Sequence, residues 1–237
     1  MTIVGTTNEQ ARTLWVEACL RSLPAGARIL DAGAGEQPFR KCCAHLNYVA
    51  QDFGAYKPKA QPAGLHLANW DYGKLDIVSD LTAIPEPDGS FDAILCTEVL
   101  EHVPDPVAAI RELVRLLKPQ GTLLLTAPFC SLTHFAPYHY VTGFNRYFYE
   151  KHLPDNGLNI IELTPNGSYF DYLAQEICRL PTVAHRYAAG SGGWLSRFVF
   201  RLALHVLQRW AQLDSGSSEL LTYGYHVKAV KRPLDAI

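Results

Sequence analysis

What this 237-residue sequence lacks narrows it first. Lysine and arginine number 21 against 23 aspartates and glutamates, a net charge of −2, so no global field draws the chain to nucleic acid or anionic lipid. No uninterrupted apolar stretch reaches the roughly 18 residues of a membrane span. The opening MTIVGTTNEQ has neither the basic start nor the apolar run of a secretory signal, and a cytoplasmic protein is the expectation. Six cysteines (Cys19, Cys42, Cys43, Cys96, Cys130, Cys178) contain no Cys-x-x-Cys pair, so neither a zinc site nor a disulfide framework is indicated. The dinucleotide fingerprint GxGxxG is missing as well. There is no internal repeat.

What is present suits a globular fold: 48 % hydrophobic and 19 % charged residues, and a length appropriate to one sizeable domain. Thr7-Asn8-Glu9-Gln10 has the spacing of a capping box opening a first helix that stops before Pro24. Arg28–Asp31 then forms a short strand running into Ala32-Gly33-Ala34-Gly35, and Pro38 begins a helix filled by Phe39 to Leu46. Further strands are expected at residues 48–52, 76–80, 91–96 and 122–126. The stretch from Gly54 to Gly73 reads as loop. Asp105-Pro106 starts a helix with Ile110, Leu113, Val114 and Leu117 on its apolar face and Arg111, Glu112, Arg115 and Lys118 opposite. Strand–helix alternation calls for crossover connections and hence a parallel, doubly wound sheet. Residues 158–163 and 223–230 supply two more strands, and 168–218, mostly helical in pattern, is an insertion within a single 1–237 domain.

In such a sheet ligands bind outside the carboxyl ends of the strands. Two glycines, Gly33 and Gly35, follow the first strand at that edge. About 20 residues on, Asp52 closes the second strand, where a carboxylate can accept from both ribose hydroxyls. Asp80 closes the third, where an acid can accept from an adenine amino group. Either acid alone reads slightly better as a cap or turn former; three (Asp31, Asp52 and Asp80) at successive strand ends favour a site.

These segments (RILDAGAGEQPFR, YVAQDF, SDLTAIPEPDGSFDAILCTEVLEHVPDP and LVRLLKPQGTLLLTAPF) resemble the ordered motifs of class I S-adenosylmethionine-dependent methyltransferases, and of type 11 domains in particular. The likeness spans residues 27–130. It implies a Rossmann-like α/β sheet of about seven mostly parallel strands with the last antiparallel. It also implies S-adenosylmethionine as cofactor, with Asp31, Gly33 and Gly35 at its methionine part, Asp52 at the ribose and Phe53 beside the adenine. Asp80 and Leu81 would meet the adenine edge and Thr97 the sulfonium. Two positions depart from the pattern: Gln37 stands where many members have a third glycine, and Gln120 replaces the first glycine of the Lys-Pro-Gly-Gly turn.

Methyl transfer to oxygen gains from a base that is neutral near pH 7, which suits histidine. His102, His134 and His139 lie on segments expected at the site, and His139 is the preferred base. A His…Pro-Tyr-x-Tyr…Phe-x-Arg stretch like that of related domains is matched by His134, Pro137, Tyr138, Tyr140, Phe144 and Arg146; an ordinary packed loop is the alternative. Glu98, Glu101 and His102 resemble a metal-binding motif of ubiquinone-pathway and small-RNA O-methyltransferases. With His134 or His139 completing the set they could bind a divalent cation, but a structural role is the preferred reading and a metal is not favoured.

Trp194 to Leu213 is a basic amphipathic helix, with Trp194, Phe198, Leu202, Val206 and Trp210 at i, i+4 spacing. A lid, a homodimer contact or a peripheral membrane contact would each use it. The sequence therefore points to an enzyme methylating an oxygen of a small-molecule, sugar or lipid-linked acceptor, with no nucleic-acid partner. A non-catalytic Rossmann-like module and a dinucleotide-dependent oxidoreductase are the other readings, the latter weakened by the missing GxGxxG.

Overall fold

A computed structural model of the protein describes residues 4–57, 70–188 and 193–233. Most of the expected loop between Gly54 and Gly73 therefore lies outside the described residues. By contact the chain divides into two compact units, Leu14–Thr164 with Gly224–Ile237, and Met1–Thr13 with Pro165–Tyr223.

The larger unit is organised around a sheet. In chain order the elements are α1 (Asn8–Arg21), β1 (Arg28–Ala32), β2 (Asn47–Asp52), β3 (Ile77–Val78), β4 (Phe91–Thr97), α2 (Pro106–Leu116), β5 (Leu117–Pro128), α3 (Arg146–Asp155), β6 (Leu158–Asn166) and β7 (Gly224–Lys231). The seven strands lie in the order β3-β2-β1-β4-β5-β7-β6. Pairing is parallel from β3 through to β5, and β7 runs antiparallel to β5, with Leu125 opposite Val227. The strand order reverses between β1 and β4, which opens the crevice at their carboxyl ends.

Period-two alternation divides each central strand between two cores. Leu30 and Ala32 of β1 join Ile94 and Cys96 of β4 and Leu123 and Leu125 of β5, and this face buries Ile110, Leu113 and Leu116 of α2 with Tyr149 and Leu153 of α3. Ile29, Ala93, Leu95 and Leu124 point the other way, against Val16 and Leu20 of α1 and Phe39, Cys43 and Leu46. Each fully buried leucine or isoleucine contributes roughly 1.5–3 kcal/mol relative to exposure. Asp105 caps α2 by accepting from Ala108 N at 2.9 Å, with Pro106 in the first turn.

Two expectations are corrected. The helix expected over Phe39 to Leu46 shrinks to a single 3-10 turn at Arg40–Cys43, because the chain turns straight into β2, where Asn47 N donates to Ala27 O. Glu112 does not face solvent: it is buried, accepts from Ile84 N at 2.7 Å and takes a two-pronged contact from Arg115. An amphipathic pattern assigns a charge outward by default, and this one is turned in by a loop amide that needs an acceptor.

The smaller unit holds α4 (Tyr169–Tyr187) and α5 (Trp194–Gln212). Ser168 and Asp171 form a reciprocal capping box on α4. The core of this unit is small: Val4, Ala174 and Leu207 are buried, with Phe170, Leu173, Ile177, Leu204 and Ala211 around them.

Candidate active site

The turn after β1 needs both its glycines. Gly33 and Gly35 have φ of +74° and +52°, and a Cβ on Gly33 would come within 2.5 Å of Val99 Cγ2. The backbone amides of Gly33 and Ala34 both donate to Gln51 O, at 2.9 and 2.8 Å, which ties the turn to the end of β2. Asp52, 5 % exposed, closes that strand: its Oδ2 accepts from Gly35 N and its Oδ1 from Gly54 N, each at 3.0 Å. Burial raises its pKa, while the amides of Gly54, Gly35 and Phe53 pull the other way. Each carboxylate oxygen still has a second lone-pair site, the acceptor capacity that paired ribose hydroxyls require.

Asp31 points to the α1 side of β1 and is buried. Tyr48 Oη donates to its Oδ2 at 2.5 Å. Loss of water lifts the Asp31 pKa to about 7, against the lowering effect of the Tyr48 hydrogen bond and with a further rise from Asp52. Asp80 is exposed, and its Oδ1 accepts from Thr82 N at 2.8 Å and Thr82 Oγ1 at 2.7 Å. Leu81 is buried within the α2 core, so its side chain is committed to packing. Thr97 ends β4 opposite Thr126. Phe53 meets Tyr138 edge-to-face at 4.9 Å.

The two positions that depart from the glycine pattern keep the glycine backbone. Gln37 has φ of +57° and Gln120 +62°, the left-handed region. Gln37 is held there by its side chain, whose Nε2 donates to Tyr72 O at 2.6 Å and Lys74 O at 2.9 Å while Oε1 accepts from Arg40 at 2.6 Å.

Beyond β4 the chain places an acid and three imidazoles together. Glu101 is 1 % exposed, and its Oε1 lies 3.7 Å from His102 Nε2 and 3.9 Å from His134 Nε2. The ring of His139 is 5.0 Å from that of His134 and 6.0 Å from that of His102. His102 Nδ1 is 2.5 Å from Tyr138 O, and His134 Nδ1 is 2.9 Å from Leu132 O. A carbonyl can only accept, so both Nδ1 atoms carry the proton and both Nε2 lone pairs turn toward Glu101. Burial first, then His134, with His139 adding, pushes His102 down to about 4; burial and His134 lower His139 too. These two rings are neutral at pH 7. Glu98, grouped with Glu101 in the sequence, instead accepts from Thr126 Oγ1 at 2.9 Å. The His134–Tyr140 segment is laced to this centre through Tyr140 N and Val141 N, both donating to Glu101 O, and through Tyr138 to Phe53.

An aromatic group over the turn was not legible. Phe135 stacks on Tyr56 at 3.6 Å between ring centroids and meets Trp70 at 4.9 Å and His102 at 4.9 Å. Tyr56, Trp70 and Tyr72 fall in a stretch of loop composition, where the only signal is the density of aromatics.

With this geometry in view, the fold is that of the class I S-adenosylmethionine-dependent methyltransferases. Residues 30–125 match the family described as a methyltransferase domain. Over 106 residues the chain is 42 % identical to ubiquinone biosynthesis O-methyltransferase of Xanthomonas oryzae pv. oryzae, a match covering 43 % of each protein. It thus spans under half the length of that relative. Two solved structures share the fold: the [4+2]-cyclase SpnF (TM-score 0.57, 17 % identity, 97 % of this chain and 84 % of that one), and phosphoethanolamine N-methyltransferase 2 of Haemonchus contortus in complex with S-adenosyl-L-methionine (0.53, 14 %, 94 % and 52 %). At such identities the likeness is one of fold, and the cyclase illustrates that a fold does not fix a reaction.

Proposed function

We propose that the chain transfers a methyl group from S-adenosylmethionine to an oxygen of a small-molecule, sugar or lipid-linked acceptor. On this reading residues 1–237 act as one methyltransferase domain carrying 168–218 as a helical insertion. The observation that carries the proposal is the convergence, at one sheet edge, of the Gly33–Gly35 turn, Asp52 and neutral imidazoles, joined through Val99, Phe53 and Tyr138. The name of the Xanthomonas relative, an O-methyltransferase, supports oxygen as the methylated atom.

S-adenosylmethionine supplies the methyl electrophile when bound. The chain supplies binding, alignment and a proton acceptor. Asp31 and the Gly33–Gly35 turn hold the methionine end, Asp52 accepts from the ribose hydroxyls, and Phe53 lies against the base. Asp80 and the Leu81 backbone serve the adenine edge, and Thr97 borders the reacting centre. His139 is the base. Ser131 Oγ directs its one proton to Thr142 O at 3.0 Å, so His139 Nε2, 3.1 Å away, donates to that hydroxyl and Nδ1 keeps the free lone pair. Nδ1 would accept the proton of an acceptor hydroxyl, while the cofactor would give up its methyl group by cleavage of the methyl–sulfur bond and leave as S-adenosylhomocysteine.

A second reading is favoured by one observation: Glu101, His102 and His134 offer ligand atoms that all lie within 4.8 Å of one another. A carboxylate and two imidazoles, each backed by a carbonyl on Nδ1, suit a divalent cation that would activate the acceptor hydroxyl. Chelation separates the two readings. If His139 is the base, turnover with a hydroxylated acceptor survives a chelator and Glu101→Gln, and falls by roughly 100-fold or more in His139→Ala. Loss on chelation, restored by magnesium or zinc, selects the metal reading.

A further inference from the structure

We propose that α5 seats this protein on an anionic bilayer surface, lying in the plane of the headgroups. The helix presents three rows. Leu204, Leu207 and Ala211 form its packing row, with Leu207 buried against α4. The apolar row legible in the sequence is a different one, and it is open. Trp194 is 80 % exposed, Phe198 61 %, Leu202 55 % and Leu213 77 %, with Leu195 and Val199 beside them. At 100° per residue, Phe198, Leu202, Leu195, Leu213 and Val199 fall within an arc of about 100° that excludes the packing row. Trp210 closes the row while resting partly on Phe170, 5.7 Å away.

The third row is basic. Arg197, Arg201, His205 and Arg209 recur at i, i+4 in a row that starts beside the open apolar arc and winds into it at Arg209, and all four are exposed. The three arginines have no ion-pair partner among the described residues, and the helix sequence WLSRFVFRLALHVLQRWAQ contains no acid. Two acids of this unit are engaged elsewhere: Glu176 of α4 pairs with Arg179 at 2.6 Å, and Asp214 accepts from Gly216 N and Ser217 N. In a protein of net charge −2, a helix free of acids beside an open apolar face is a local departure.

Charge decides which occupant fits. A second copy docked through a two-fold axis brings the same basic row from each copy toward the other, with no acid on either helix to neutralise it. An anionic lipid surface meets the row with opposite charge while the apolar face enters the acyl boundary, tryptophan lies at the interface, and arginine stems reach outward along the edge. No described helix is long and apolar enough to cross a membrane, so this contact rests on the surface.

The test is flotation of the full chain with vesicles of phosphatidylcholine alone and of phosphatidylcholine with phosphatidylglycerol. Its readout is independent of methyl transfer, so it can fail without touching the proposed activity. Binding is expected to the mixed vesicles, weakened by salt, with a blue shift of tryptophan emission. Replacing Arg197, Arg201 and Arg209 by Gln lowers partitioning roughly fivefold per charge, and Phe198→Ser with Leu202→Ser removes it. Both changes are on exposed positions, and circular dichroism checks that the fold is kept. The proposal is overturned if folded native chain fails to float with phosphatidylglycerol vesicles, or floats equally well after these substitutions. A dimer dissolved by Leu202→Ser in a chain that binds no vesicle overturns it in favour of a self-contact.

Discussion

A carboxylate on a central strand, closed off from water, is expensive to ionise. Asp31 is such a group, and its pKa of about 7 makes that a statement about stability. In the unfolded chain it ionises near 3.9. Between about pH 4 and 7 the folded state therefore binds the extra proton, and stability falls as pH rises through this window. Above pH 7 the full penalty applies. Replacement Asp31→Asn, which keeps an acceptor for Tyr48, is expected to stabilise the protein by about 2–4 kcal/mol at pH 8 and by little at pH 4. The same change is expected to weaken binding of the proposed cationic cofactor. Thermal unfolding at the two pH values, paired with calorimetry, checks both halves. A charge kept at such expense where the proposed cofactor carries an amine is consistent with stability exchanged for function.

At the scale of elements, turns decide how the sequence is read. Gln37 and Gln120 both occupy left-handed backbone that costs a non-glycine residue roughly 1 kcal/mol. They differ in what the side chain returns. Gln120 is exposed and its side chain makes no hydrogen bond among the described residues, so Gln120→Gly is expected to raise stability by up to about 1 kcal/mol. Gln37 bonds Tyr72 O, Lys74 O and Arg40, so Gln37→Gly is expected to lower it. Denaturant midpoints of the two variants should move in opposite directions. Departures from a motif were thus visible in the sequence, but their retained geometry was not, because it depends on carbonyls 35 and 37 residues away. Period-two and period-3.6 patterns made the strands and α2 legible, since they report burial directly. The same rule misplaced Glu112, whose burial answers the amide of Ile84, 28 residues distant.

At the scale of the molecule, the sheet order fixes where chemistry gathers. Its reversal between β1 and β4 brings the Gly33–Gly35 turn, Asp52 and the histidine loop to one edge. Local motifs announced the first two. The sequence left either His134 or His139 to join Glu98, Glu101 and His102; the fold brings His134 to Glu101 and His102 and turns Glu98 to Thr126. In α5 the sequence showed an apolar row but not that a different row, Leu204, Leu207 and Ala211, does the packing. The central claim is that the edge binds S-adenosylmethionine through Asp52, and calorimetric titration of the whole chain with S-adenosylhomocysteine, with NADH as control, tests it most directly. Saturable binding of S-adenosylhomocysteine alone, weakened roughly 10- to 100-fold by Asp52→Ala, is the predicted result; no binding by folded protein, preference for NADH, or an Asp52→Ala variant that binds as tightly as the native chain would contradict it.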